Sequence, residues 1–115
     1  MKTLSIDHEK KNDKEILILD GILNADTVSN LDDRLKELAG YKRPCLVLDV
    51  SDLTYISSAG IGCFIGIIKQ IRSKGGDIHF YNMAPKVLRV FKLLDMDEFF
   101  KFFTDFEKAI NAFDA

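Results

Sequence analysis

The stretch Asp49-Val50-Ser51-Asp52-Leu53-Thr54-Tyr55-Ile56-Ser57-Ser58-Ala59-Gly60-Ile61-Gly62 gathers the side chains best suited to chemistry. An apolar, strand-like run ends at Asp49-Val50, a polar loop is expected over residues 51–55, and two serines then stand at the start of a helical pattern. Free N–H groups and the positive end of the helix dipole gather at such a point. A hydroxyl there has two readings. It is either an N-cap, contributing about 1 kcal/mol, or a phosphorylation switch, whose dianion the dipole tolerates while the surface changes what it binds. The residues alone leave both open.

Other chemistries find less support. A Ser-His-Asp arrangement needs a histidine that reaches a serine. The chain has two, His8 and His79, and each lies in a strand pattern beside apolar residues. No G-x-S-x-G elbow occurs, and His, Asp and Glu show no metal-ligand spacing, so neither a catalytic residue nor a metal site is expected. Gly60-Ile61-Gly62-Cys63-Phe64-Ile65-Gly66 is one residue too long for the dinucleotide fingerprint and follows the third strand instead of the first. Its glycines are read as close helix packing and a tight entry turn. Cys45 and Cys63 sit in apolar contexts without a CxxC, as buried free thiols do in a reducing compartment.

The elements that must position the serines follow from hydrophobic periodicity. Leu4, Ile6 and His8 alternate with polar residues as a first strand; residues 10–14 form a turn, and residues 15–21 a second strand, antiparallel to the first. Ala25, Val28, Leu31, Leu35 and Leu38 recur at helical spacing, with Asn24 or Asp26 as cap and Gly40 as stop. Residues 45–50 read as a central strand covered on both faces. The helix carrying the serines spans about residues 58–73, with Ile61, Phe64, Ile65, Ile68 and Ile71 on one side, and Gly75-Gly76 stops it. A strand over residues 77–81 precedes a helix opened by Pro85, with Val87, Leu88, Phe91 and Leu94 inward and Lys86, Arg89 and Lys92 outward. A short edge strand over residues 99–103 and a last helix, started by the capping box Thr104-Asp105-Phe106-Glu107, follow. Seven of the nine phenylalanines lie from Phe91 onward, where they close the core. The expected fold is α/β: one domain over residues 1–115, a mixed sheet of four or five strands, an opening antiparallel hairpin and flanking helices.

Composition narrows the function classes. Sixteen Lys+Arg against 18 Asp+Glu leave a net charge of −2, a poor basis for nucleic-acid binding. No apolar run approaches the ~20 residues of a membrane span, and charges resume at Asp7 before any signal-peptide core can form. The default expectation is a cytoplasmic protein, monomeric when alone.

The central segment resembles the signature of the STAS domain family, the anti-sigma factor antagonists of bacteria. That signature is a strand ending in an Asp-Leu-Ser-like triplet, then an aromatic, an apolar residue, Asp or Ser, the phosphoacceptor Ser, a small residue, Gly, an apolar residue and Gly. Here it reads Asp49-Val50-Ser51, then Tyr55-Ile56-Ser57-Ser58-Ala59-Gly60-Ile61-Gly62. An earlier family stretch, Gly-x-Leu-Asp-x-x-Thr, is matched by Gly21-Ile22-Leu23-Asn24-Ala25-Asp26-Thr27. The resemblance covers nearly the whole chain. It implies that Ser58 is the phosphoacceptor and that Asn24, Ser57, Ser58, Ala59, Gly60, Ile61 and Gly62 form the partner-binding surface. The implied partners are a serine-kinase anti-sigma factor with a histidine-kinase-like ATP fold and a PP2C-type phosphatase. No cofactor and no catalytic activity of its own are implied. Asn24 and Ser57 stand where the family often has Asp, which makes the site less acidic by up to two charges and leaves Ser57 as a competing acceptor. For Ile61, core packing on the helix competes with an exposed apolar contact beside the switch.

Two other classes compete. A phosphoaspartate receiver domain would use Asp49, read as ending the central strand. It needs an acidic pair after its first strand to hold Mg²⁺, and it starts βαβ where this chain starts ββα. A small-ligand or nucleotide module would use the helix start from Ser57 to Gly62.

Overall fold

A computed structural model describes residues 3–115. The chain opens with a hairpin of β1 (Leu4–Lys11) and β2 (Lys14–Leu23), joined by Asn12 and Asp13 alone. Asn12 takes φ +59°, a left-handed conformation that asparagine tolerates. The turn is tighter than the five polar residues predict. Lys14 can enter the strand and be buried because Asp13 and Asp114 both accept hydrogen bonds from its ammonium, at 2.6 and 2.7 Å.

Helices and strands then alternate: α1 (Val28–Ala39), β3 (Cys45–Ile56), α2 (Ser58–Ser73), β4 (Asp77–Tyr81), α3 (Pro85–Leu93) and β5 (Lys101–Phe103). A short α4 (Phe106–Asn111) and a 3₁₀ turn (Ala112–Asp114) end the chain. The five-stranded sheet has the order β1-β2-β3-β4-β5, with the hairpin antiparallel and every later pair parallel. Right-handed crossovers that always step the same way across a sheet put their helices on one face. That face holds the larger core, where Leu17, Leu19, Leu46, Leu48, Ile78 and Phe80 meet residues of α1, α2 and α3. The opposite face is covered by α4, which buries Ile16 and Val47 under Ala109 and Ile110. β3 is therefore covered on both faces along residues 45–48, as its unbroken apolar run predicts.

The late phenylalanines divide between the two cores. Phe80 contacts the rings of Phe91, Phe100 and Phe102 at centroid distances of 5.4 to 5.6 Å, and Phe103, Phe106 and Phe113 serve the second core. Phe99 is the exception, at 42% exposure.

Other elements also differ locally from expectation, and the edge strand β5 is confined to Lys101–Phe103. Residues 51–55 are strand, because β2 runs on to Leu23 and offers a partner, and Leu53 and Ile56 supply buried anchors. Helix α1 starts at Val28, and Ala25 lies outside it. Asn24 Oδ1 accepts the amides of Asp26 and Thr27 at 2.9 and 3.1 Å, while Thr27 Oγ1 accepts the Asn24 amide and donates to the Ile22 carbonyl. This closed turn competes successfully with the helix for residues 24–27. The last helix is capped by Asp105, which accepts the Lys108 amide at 3.0 Å, and not by Thr104. Finally, Ile65 and Leu94 are exposed at 42% and 43%, Ile65 because it lies beyond the edge of the buried stripe of α2 and Leu94 because it stands past the end of α3 as its C-cap.

Candidate functional site

The two serines sit where three elements converge. The Ser57 amide donates to the Leu23 carbonyl at 3.0 Å, so the start of α2 is fastened to the end of β2 across the end of β3. Gly60 makes this approach possible. A Cβ there would lie 2.8 Å from Leu23 Cγ and 2.9 Å from Ile56 Cγ1, closer than carbon atoms pack. Gly62 and Gly66 meet nothing within 4 Å, so the close-packing reading holds for Gly60 alone.

Ser57 takes the extended N-cap conformation, φ −102° and ψ 172°, yet its side chain makes no capping hydrogen bond. Its Oγ is enclosed and has no partner among the described residues. Ser58 is the first helical residue and is exposed, as are Ala59 and Gly62. Gly60 and Ile61 are buried, Ile61 completely, so core packing decides the reading of Ile61 and it is no exposed contact. The backbone carbonyl of Ser57 accepts the Ile61 amide at 3.2 Å, opening the helical ladder. The first-turn amides of α2 and its dipole therefore lie beside an accessible hydroxyl on Ser58.

Neither histidine serves these serines. His8 stands opposite Leu17, six residues before Leu23 on β2 and so about 20 Å away; its Nε2 lies 2.8 Å from Glu15 Oε1. His79 is buried on the other face of the sheet, where Nδ1–H donates to the Ala109 carbonyl at 2.7 Å and the ring stacks on Phe113. Asp49 lies within β3, whose strand continues to Ile56, so it does not end the strand as a receiver aspartate would. Its Oδ1 already accepts the Ser51 amide and hydroxyl at 3.0 and 2.6 Å. Among the described residues no three His, Cys, Asp or Glu side chains gather as metal ligands. Cys45 and Cys63 are free and buried; burial pushes the Cys63 thiol up to about 12 and the Cys45 thiol up as well.

The family model of the STAS domain matches residues 5–109. The chain belongs to the STAS domain family. Among curated STAS relatives, the anti-sigma F factor antagonist of Paenibacillus polymyxa is 32% identical over 111 residues, which cover 95% of this chain and 92% of that protein. The fold agrees with that of an anti-sigma factor antagonist from Mycobacterium paratuberculosis, at TM-score 0.86 and 17% identity over 97% of this chain and 95% of that one. It agrees too with the anti-sigma factor antagonist SpoIIAA in its unphosphorylated form, at TM-score 0.79 and 17% identity over 94% and 95% of the two chains.

In this STAS domain, Asn24, Ser57, Ser58 and Ala59 come together around the Ser57–Leu23 hydrogen bond, with Gly62 one turn further along α2. Beside them lies a groove of about 450 Å³ lined by Ile22, Asn24, Thr54, Tyr55 and Lys86. Asn24 belongs both to the motif and to the groove. Tyr55 is 51% exposed, between buried Leu53 and Ile56 at the end of β3. Ile22, Thr54, Tyr55 and Lys86 were not assigned to the partner-binding surface from the sequence, although all but Lys86 lie in the stretches that mark it. Two register shifts in the β2–β3 pairing, between Ile18 and Asp20 and between Gly21 and Ile22, break the strand's alternation just before Tyr55 and hide which side chains face out. Lys86 is brought in from α3, more than 25 residues away, and no local signal could have placed it.

Proposed function

We propose that this chain is an anti-sigma factor antagonist that works by partner switching, with Ser58 as the phosphoacceptor. The reading gives the unphosphorylated protein the role of binding a serine-kinase anti-sigma factor, so that a sigma factor is freed. Phosphorylation releases the kinase, and a PP2C-type phosphatase restores the binding form. The protein is a substrate and a switch in this scheme and catalyses nothing itself.

The observation that carries the reading is the contrast between the two serines. Ser58 is exposed in the first turn of α2, while the Ser57 hydroxyl is enclosed. A kinase needs an accessible oxygen, and access favours Ser58 over its neighbour. The new phosphate brings about −1.5 to −2 charge at pH 7, next to the free amides of the helix start, so the fold tolerates it. The binding surface does not, because the dianion faces a kinase that already holds nucleotide phosphates. A loss of about 3–4 kcal/mol there weakens affinity a few hundred-fold.

The test is affinity capture from lysate of the source cells, with wild-type protein, Ser58→Asp and Ser57→Asp as baits. The expected result is a kinase-type ATPase held by wild type and lost by Ser58→Asp. Phosphopeptide mapping after incubation with the captured kinase and ATP should place the phosphate on Ser58. Equal retention by wild type and Ser58→Asp, or phosphate on Ser57 alone, overturns the proposal.

A further inference from the structure

The outer edge of β1 is open. This strand ends the five-stranded sheet and pairs only with β2. The Ile22 amide donates to the Thr3 carbonyl at 3.1 Å, which sets the phase of the hairpin. Thr3, Ser5, Asp7 and Glu9 therefore turn their backbone groups toward β2, and Leu4, Ile6 and His8 turn theirs outward. Edge strands are commonly blunted by a proline, a bulge, a covering segment or free lysines. Here there is no proline, and the register against β2 is unbroken. The two lysines are already engaged, Lys10 with Glu15 at 3.5 Å and Lys11 with Glu107 at 2.6 Å.

Beside this edge runs a groove of about 420 Å³. Leu4 and Ile6 form its apolar side. Asn30, Asp33, Arg34 and Glu37 form its polar side, at i, i+3, i+4 and i+7 in one row along α1. The groove shares no lining residue with the one beside Ser58. A strand added to β1 would bond to the outward backbone groups of Leu4, Ile6 and His8 and lay alternate side chains in this groove.

Charge selects the occupant. Among the described residues Asp7, Glu9, Asp33, Arg34 and Glu37 take part in no ion pair. Four free acids thus surround the edge against one free base, Asp33 and Glu37 on the groove side and Asp7 and Glu9 on the other face of β1. An arginine or lysine of an added strand meets both demands of the groove: its stem packs on Leu4 and Ile6, and its head reaches Asp33 or Glu37. A second copy of the chain fits worse, because a two-fold centred on Asp7, His8 or Glu9 sets acid against acid.

We propose that β1 accepts an extended segment of a partner protein, rich in arginine or lysine, as a sixth strand of the sheet. Main-chain hydrogen bonds hold the segment, and the acids of α1 and β1 choose its charge.

Fluorescence anisotropy tests this with a labelled peptide alternating arginine and threonine over about eight residues, the length of a typical strand. A peptide alternating glutamate and threonine is the control. Two further isomers of the arginine peptide carry N-methyl groups on alternate amides, one at every arginine and the other at every threonine. A strand offers only one of these two sets of amides to β1, so one isomer should lose about tenfold or more in affinity and the other should keep it. Asp33→Lys with Glu37→Lys should lose about tenfold or more as well. Asp97→Lys with Glu98→Lys makes the same charge change ahead of β5, at the opposite edge of the sheet, and should bind as wild type does. No binding of the arginine peptide at millimolar concentration, binding of the glutamate peptide as tight, equal affinity of the two methylated isomers, or equal losses in the two double variants overturns the proposal.

Discussion

Gly60 rests directly on Leu23, leaving no room for even a methyl group: a Cβ at position 60 would stand 2.8 Å from Leu23 Cγ. The start of the helix that bears Ser58 is thus set by contact between a glycine and the last side chain of β2. Gly60→Ala must push Leu23 and Ile56 aside in a full core, at a cost of about 1–3 kcal/mol. Gly62→Ala and Gly66→Ala meet open space on the same helix and should each gain about 0.5–1 kcal/mol. Urea denaturation of the three variants checks the contrast, and a Gly60→Ala protein as stable as wild type would refute the packing argument.

A second prediction concerns Asn24. Its Oδ1 holds the amides of Asp26 and Thr27 in the turn before α1. Asn24→Ala leaves both amides without that acceptor and should cost about 1 kcal/mol. Asn24→Asp keeps an oxygen in place, restores the acidic residue usual in the family and should leave stability within about 0.5 kcal/mol of wild type. Thermal unfolding of the pair separates the hydrogen-bonding role of the side chain from any role of its charge.

The architecture was legible in the sequence wherever periodicity was strong. The paired opening strands, the apolar run from Cys45 to Val50 and the helix from Ser58 to Ser73 were each read in the right place. Reading failed where tertiary pairing overrode local composition. Ser51, Asp52 and Thr54 look like a loop, yet they are strand because β2 extends far enough to pair with Asp52, Leu53 and Tyr55, while Ser51 and Thr54 fall at the register shifts. Asn24 looks like a helix cap, yet it closes a turn with Thr27. At the site, the motif located Ser58 and its neighbours, but spacing alone could not separate buried Ile61 from exposed Ala59. The groove stayed hidden because Lys86 reaches it from a different helix.

Asp114 should act as the fastening of the chain's end. It accepts from buried Lys14 at 2.7 Å and from Arg43 Nη1 at 2.9 Å, while Arg43 Nη2 donates to the Phe113 carbonyl at 2.6 Å. Asp114→Ala removes the acceptor common to both cations and leaves Lys14 with Asp13 alone. Hydrogen exchange of residues 106–114 should quicken, whereas the amides of β2 and β3 keep their protection. Uniform acceleration across the sheet would mean that the fastening supports the whole fold and not its end.

The last prediction follows from His79, which is 1% exposed between Phe103 and Phe113 and stacks on Phe113 at 3.7 Å. Burial holds its ring below the ordinary histidine range; Lys101 and Arg72 act in the same direction, while the Ala109 carbonyl and Asp77 oppose it. Such a histidine binds its proton more readily in the unfolded chain. Stability is therefore complete above the unfolded value of about 6.5 and is lost as pH falls from there toward the lower folded value. One proton sets a ceiling of about 1.4 kcal/mol per pH unit on the slope. His79→Phe keeps an aromatic ring against Phe113 but cannot take up a proton. It should be less stable than wild type at pH 7.5, since the Ala109 carbonyl loses its donor. That deficit should shrink as the pH is lowered to 5.5, because only wild type bears the cost of the proton. Urea unfolding of both proteins across this range decides the matter, and parallel stability curves would remove His79 as the source of acid sensitivity.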